Sequence, residues 1–245
     1  MIRSLVLAAI VTLLHTSVSP SAPGNGVPPF VFVSRNPLPD AQAGSVPGFG
    51  PKYRTAIVGG KLMLRERSGK LRTLVDSTRL VDVADPCVSW DGKRVIFSGI
   101  QHADSNWRIF EIGIDGKNFR QLTFSDRVLD LSQFGVSAPL FERYDDFDPC
   151  YLPDGKIAFA STRYPSLAMV ERVRASNIYV MDADGKNLRR ITSERNGGEE
   201  PTIDPVTGRI VYARWWGNID RPSNRTRNNL SREDATALTT DIGNI

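Results

Sequence analysis

The sequence predicts an all-β protein: a β-propeller of four-stranded antiparallel blades, incomplete in this chain at about three to four blades. Three observations carry that expectation. A small or acidic residue followed by Gly and then Lys or Arg recurs at Ser68-Gly69-Lys70, Asp91-Gly92-Lys93, Asp115-Gly116-Lys117, Asp154-Gly155-Lys156, Asp184-Gly185-Lys186 and Thr207-Gly208-Arg209. The flanking runs are rich in β-branched and aromatic residues, as strands require. The turns also alternate between two classes. An ordinary meander or sandwich with common Asp-Gly turns would not produce that alternation.

Each element follows from these turns. Asp-Gly between apolar runs is a hairpin signal, because glycine accepts the positive φ of a tight turn. Arg94–Ser98, Lys156–Ala160 and Arg209–Ala213 read as one strand repeated, and Arg108–Ile112 and Asn177–Met181 as another. Turns at 91, 154 and 207 follow an acid-Pro start: Asp85-Pro86, Asp148-Pro149 and Glu200-Pro201. Turns at 68, 115 and 184 precede a basic-apolar strand: Arg72–Val75, Arg120–Thr123 and Arg189–Thr192. Two hairpins per unit give four strands, a to d. The expected organisation is residues 1–22 as a leader, 23–80 as an N-terminal segment with a partial blade, and 81–245 as propeller blades. Lys61–Leu64 is the third strand of the partial blade. Complete blades occupy about 81–124 and 145–193, and another begins at Glu200. The final Asp241–Ile245 looks like the start of a third strand. Because a propeller must close to cover its edges, the expectation is a fragment of a longer protein or a chain that needs a partner.

The motif resembles the WD40-like repeat of the TolB type, in which acid-Pro, an Asp-Gly turn, an apolar-aromatic strand, a second Asp-Gly and Leu-Thr follow in order. Here the first turn reads Val88-Ser89-Trp90-Asp91-Gly92 and Tyr151-Leu152-Pro153-Asp154-Gly155, and the third copy, Ile203 to Gly208, carries one extra residue. The wording of residues 80–245 resembles more narrowly the middle propeller domain of hydrazine synthase alpha-subunit-like proteins. That resemblance implies a fold. Proteins of that name are multihaem c-type proteins, and this chain has no C-x-x-C-H, so no catalytic residue carries over.

Residues 1–22 have the pattern of a secretory signal peptide: Arg3, an apolar run from Leu5 to Leu14, then small residues. An uncleaved anchor is the other reading of that segment, although the run is short for a bilayer. The expected location is periplasmic or extracellular, with no transmembrane segment after the leader. A net charge of +4, spread along the chain, gives no nucleic-acid stripe. With two cysteines and two histidines, a four-cysteine zinc site is excluded. No serine-hydrolase elbow or P-loop occurs. The sequence therefore assigns no catalytic residue and no cofactor, and leaves open whether the whole protein is an enzyme.

Long connections at Gly99–Trp107, Ser125–Phe147, Arg163–Ser176 and Arg214–Thr240 all join b to c or d to a, so they decorate one face. Long loops on a rigid scaffold are where binding concentrates. The expected occupant of that face is a protein or small ligand. Candidate binding residues are Arg163 with Tyr164, Arg214 with Trp215 and Trp216, and Asp145 and Asp146. An Arg-aromatic rim suits an anionic or sugar-like ligand or a protein partner, or is a rim packed under its own loops. Asp85, Asp148 and Glu200 recur in the repeat. They are candidate ligands for a hard cation such as Ca²⁺, or acceptors of backbone N–H groups at a strand entrance. Cys87 and Cys150 hold equivalent positions in successive blades, and the expectation is that they lie too far apart to pair. They are read as two buried, inert thiols. His102 is a lone loop histidine. Polar residues 222–236, with two formal glycosylation sequons, read as a flexible loop.

Overall fold

The computed structural model describes residues 26–35, 59–102, 105–168 and 174–214. The expected leader, Trp215, Trp216 and the sequons lie outside the described residues. Strands β1 (Phe30–Ser34), β2 (Lys61–Arg65) and β3 (Leu71–Val75) form a three-stranded antiparallel sheet in that order. Strands β4 (Asp82–Val88), β5 (Arg94–Ile100), β6 (Arg108–Gly113) and β7 (Arg120–Gln121) form the first complete blade. Strands β8 (Asp146–Tyr151), β9 (Ile157–Ser161), β10 (Asn177–Met181) and β11 (Arg189–Arg190) form the second, again in sequential order. Strands β12 (Gly198–Ile203) and β13 (Ile210–Arg214) open a further blade. The fold is a propeller of incomplete blade number, as the turns predict.

The core lies between blades rather than within one. Val95 and Phe97 point from β5 into a layer with Leu62, Leu64 and Leu74. Ile96, from the same strand, points the other way, against Ile157, Phe159 and Tyr179. Ala158 and Ala160 of β9 face a third layer with Phe147, Ile178 and Tyr212. A strand covered on both faces reads as a continuous apolar run, which is why β5 and β9 lack alternation. The aromatic pair repeats with them: Phe97 is opposite Phe110 and Phe159 opposite Tyr179, each with ring centroids 6.0 Å apart.

The acid-Pro dipeptides do not start strands. Each a strand begins two or three residues earlier and passes through acid-Pro at a β-bulge. The register skips between Ala84 and Cys87, Phe147 and Cys150, and Glu199 and Thr202. Each skip lies opposite the b-strand aromatic: Phe97, Phe159 or Tyr212. Proline has no N–H to give the ladder, so a bulge is where a strand interior tolerates it.

A second link joins the outer strands. Arg72 donates to the Ile114 carbonyl at 2.6 Å, and Arg120 donates to the Ala183 carbonyl at 3.0 Å. In both cases a d-strand arginine reaches the c–d turn of the next blade. The second of these turns is tight: a Cβ on Gly185 would stand 2.5 Å from the Leu122 carbonyl oxygen.

That contact separates two glycines with the same backbone. Gly155 and Gly185 have φ of 85° and 86°, but nothing lies within 4 Å of a Cβ at Gly155. Gly155→Ala therefore meets only the left-handed penalty, about 1–2 kcal/mol. Gly185→Ala meets that penalty and a backbone clash, so its urea midpoint should fall clearly further than that of Gly155→Ala.

Candidate ligand-binding face

Three of the long connections, Gly99–Trp107, Ser125–Phe147 and Arg163–Ser176, meet on one face. Asp145 accepts from Asn106 Nδ2 at 3.0 Å and from the Trp107 N–H at 3.1 Å, and its own N–H donates to Thr162 Oγ1 at 3.0 Å. Arg174 closes the group, with Nη2 2.7 Å from Asp145 Oδ2 and a second bond to the Arg143 carbonyl. Asp145 thus ties both b–c connections to the d–a connection. That connection includes 3-10 turns at Ser132–Phe141, broken at Gly135 (φ 51°).

Beneath these loops the charge is unbalanced. Tyr144 is buried, and three guanidinium groups surround its ring: Arg108, Arg127 and Arg163 at 4.5, 4.9 and 5.1 Å from the centroid. Asp146, fully buried, accepts from Arg163 Nη2 at 2.9 and 2.8 Å and from Ser161 Oγ at 2.6 Å. Arg108 lies 3.9 Å from the same carboxylate and donates to the Trp107 and Tyr144 carbonyls, each at 2.7 Å. Arg127 is half-buried and donates to the Arg163 carbonyl at 2.8 Å and to the Phe141 carbonyl. Its guanidinium is held below its usual basicity by burial and by the neighbouring cations Arg163 and Arg174. Burial pushes the Tyr144 hydroxyl up, so it stays protonated and donates to the Phe124 carbonyl at 2.7 Å.

The sequence candidates separate on this face. Arg163, Asp145 and Asp146 come together, but as a buried ion-pair network rather than an exposed rim. Arg163 is turned inward because Asp146, its partner, is fully buried. Tyr164 is exposed, with Arg190 stacked 3.8 Å above its ring centroid. Arg214 does not share the position of Arg163. It lies two residues after Tyr212, whereas Arg163 lies four after Phe159. Its Nε reaches Glu194 at 2.7 Å, and Tyr212 donates to the same carboxylate at 2.7 Å. Sequence reading missed Tyr144, Arg108, Arg127 and Arg174; no repeat or motif marks them.

Asp85, Asp148 and Glu200 are all left-handed, with φ of 52°, 51° and 52°. Asp85 Oδ2 accepts from Ser98 Oγ at 2.8 Å and from the Asp148 N–H at 3.4 Å. The Asp148 N–H also reaches Ser98 Oγ at 3.1 Å. Asp148 Oδ2 in turn accepts the Glu200 N–H at 3.0 Å. Asp85 and Asp148 therefore each grip the equivalent residue of the next blade. Among the described residues, no three His, Cys, Asp or Glu side chains are grouped to hold a metal ion.

Cys87 and Cys150 are both free. Each thiol lies near the carbonyl of the residue that follows it, Cys87 Sγ 3.8 Å from that of Val88 and Cys150 Sγ 3.6 Å from that of Tyr151. Cys150 is buried and Cys87 half-buried.

No family model matches the chain. Hydrazine synthase subunit alpha of Kuenenia stuttgartiensis is 27% identical over 143 residues, covering 52% of this chain and 18% of that protein. The chain thus spans about a fifth of that relative's length. The solved hydrazine synthase of Kuenenia stuttgartiensis superposes with a TM-score of 0.54 at 18% identity, over 76% of this chain and 28% of that one. A putative TolB from Agrobacterium tumefaciens superposes with a TM-score of 0.47 at 20% identity, over 66% of this chain and 48% of that one. The fold is similar to that of the hydrazine synthase chain.

The acid link makes a prediction. Asp148→Ala removes the acceptor of the Glu200 N–H and places alanine at a left-handed φ, for a loss of about 2–4 kcal/mol. Asp148→Asn keeps an acceptor oxygen and a residue that tolerates this conformation, so it should cost under about 1.5 kcal/mol. Denaturant melts of the two variants compare them directly.

Proposed function

We propose that this chain is an interaction module of an exported protein that binds an anionic group, on a small ligand or a protein partner, at its long-loop face. The observation that carries this reading is the crowding of Arg108, Arg127 and Arg163 around Tyr144, with the Asp146 carboxylate as their buried counter-charge. Arg127 donates to the backbone carbonyls of Arg163 and Phe141 and keeps part of its surface in solvent. An incoming carboxylate or phosphate gains charge-assisted bonds there, in a site already partly desolvated. The convergence of the long connections at Asp145 supports the same face. Export rests on the leader pattern of residues 1–22. Among the described residues, no helix is long and apolar enough to cross a membrane.

A second reading is favoured by the likeness to hydrazine synthase subunit alpha over 52% of this chain. In it, the propeller is part of a larger exported enzyme, a hydrazine-synthase-like redox protein or a propeller-capped peptidase. The chemistry would then reside outside these residues, and the present face would position a partner or domain.

Calorimetric titration with a hexaglutamate peptide and with inorganic phosphate tests the binding face. The expected result is binding by at least one probe that weakens with added salt and falls about tenfold, or 1.4 kcal/mol, in Arg127→Met. No heat from either probe, or unchanged affinity in Arg127→Met, would contradict the reading. N-terminal sequencing of the protein recovered from its host tests export: a mature terminus near residues 19–23 is expected, and an intact Met1 argues against cleavage.

A further inference from the structure

The connection from Ser125 to Phe147 carries apolar side chains that the fold does not bury. Val128 is 98% exposed, Val136 is fully exposed, and Leu140 is half-exposed, as is Phe124 just before the connection. The connection also has an apolar centre of its own. Phe134 packs edge-on against buried Phe141, with ring centroids 5.1 Å apart. The exposed side chains take no part in that contact. A single exposed apolar residue is ordinary, but several around one polar group mark a surface that another molecule covers.

That polar group is Arg127. Its backbone N–H donates to the Tyr144 hydroxyl at 3.3 Å, and the same hydroxyl donates to the Phe124 carbonyl at 2.7 Å. Its Nη2 donates to the Phe141 carbonyl. Phe124, Arg127 and Phe141 are thereby tied to one another. Val128 and Leu129 follow the arginine in the chain, and Leu140 precedes Phe141, so exposed apolar residues flank the guanidinium from both arms of the connection. Nη1 donates to the Arg163 carbonyl at 2.8 Å. An arginine has five N–H donors, and these two carbonyl bonds leave the rest for an incoming anion.

We propose that Arg127 and its apolar surround capture the C-terminal carboxylate of a polypeptide whose last residues are apolar. This rests on the anion-binding reading above and names its partner. The acids of the connection decide between anions. Asp126, Asp130 and Glu142 are all exposed, on the same connection as Arg127 and Arg143. An anionic bilayer presents many phosphates at once and would bring them against these carboxylates. A chain terminus presents one carboxylate and leaves the acids in solvent. Guanidinium and carboxylate pair through two parallel N–H···O bonds. The side chains before the terminus then cover Val128, Leu129 and Leu140, a mode of recognition that joins one anchored charge to adjoining apolar contact.

The test is calorimetric titration of the full chain with the peptide acetyl-Ser-Ala-Leu-Val as its free acid, with the same peptide as its C-terminal amide, and with inorganic phosphate. The free acid should bind about tenfold or more tighter than phosphate, and amidation or Arg127→Met should each weaken it about tenfold or more. Val128→Ser combined with Leu140→Ser should weaken the free acid about tenfold while phosphate binding is kept. Val206→Ser, at an exposed site in the short β12–β13 turn, should change neither. Melting curves confirm that the variants fold. Equal affinity for acid and amide, no effect of the paired serine variant, or binding to phosphatidylglycerol vesicles without binding of the free acid would each overturn the proposal. If phosphate binds through Arg127 and the peptide does not, this inference alone falls. If neither binds, the anion-binding reading falls with it.

Discussion

The blades are held in sequence by a carboxylate in an unfavourable backbone conformation. Asp85, Asp148 and Glu200 all precede proline and all have positive φ. Such a residue costs about 1–3 kcal/mol and persists only where its surroundings over-determine it. Here they do. The proline needs a bulge, the bulge faces an aromatic of the b strand, and at Asp148 and Glu200 the released backbone N–H turns toward the preceding blade, where Asp85 or Asp148 accepts it. The outer link from Arg72 and Arg120 to the next c–d turn holds the other edge of the same interface. Between these two links lie the apolar layers.

The two faces of the propeller differ in kind. On one, short Asp-Gly turns satisfy their own backbone. Asp91, Asp154 and Asp184 each accept the N–H two residues on, at 3.1, 3.1 and 3.0 Å. Their carboxyls are held below the usual range, Asp91 chiefly by the Ser89 hydroxyl, Asp154 by the Lys156 ammonium and Asp184 by the Lys186 N–H. The buried carboxylate nearest these turns, Glu111, is paired with Arg94 at 3.3 Å and Arg120 at 2.5 Å. On the other face, the connections are too long for such closure. Their backbone is satisfied instead by side chains, chiefly arginines donating to the carbonyls of Trp107, Phe141, Arg143, Tyr144 and Arg163. Holding loops with guanidinium groups concentrates positive charge in a half-buried space. The cation surplus that makes this face a candidate anion site is thus a consequence of how its loops are built.

Much of the fold was legible because it is local. An Asp-Gly turn, its flanking β-branched run and the alternation of two turn classes all lie within about ten residues of one another. They located both complete blades and the strands of the partial ones. The bulge was missed although its signal was present: proline inside an apolar run points to a bulge as well as to a strand entrance, and Asp85-Pro86 was read only as the latter. The site was less legible because its contacts are distant in sequence. Arg163 finds Asp146 17 residues away, and Arg108 meets Tyr144 36 residues away, through loops without periodicity. The acid link from Asp148 to Asp85 spans 63 positions, and no sequence rule gives the spacing of neighbouring blades.

Amide hydrogen exchange on the native protein tests the inter-blade carboxylate link most directly. The Asp148 and Glu200 N–H groups lie at bulges, where the strand ladder does not use them. The account predicts that both exchange as slowly as core amides such as those of Ile109 and Ile178, because the acid of the preceding blade holds each one. Exchange at the rate of an unstructured peptide would show that the acids do not hold these N–H groups and would contradict it.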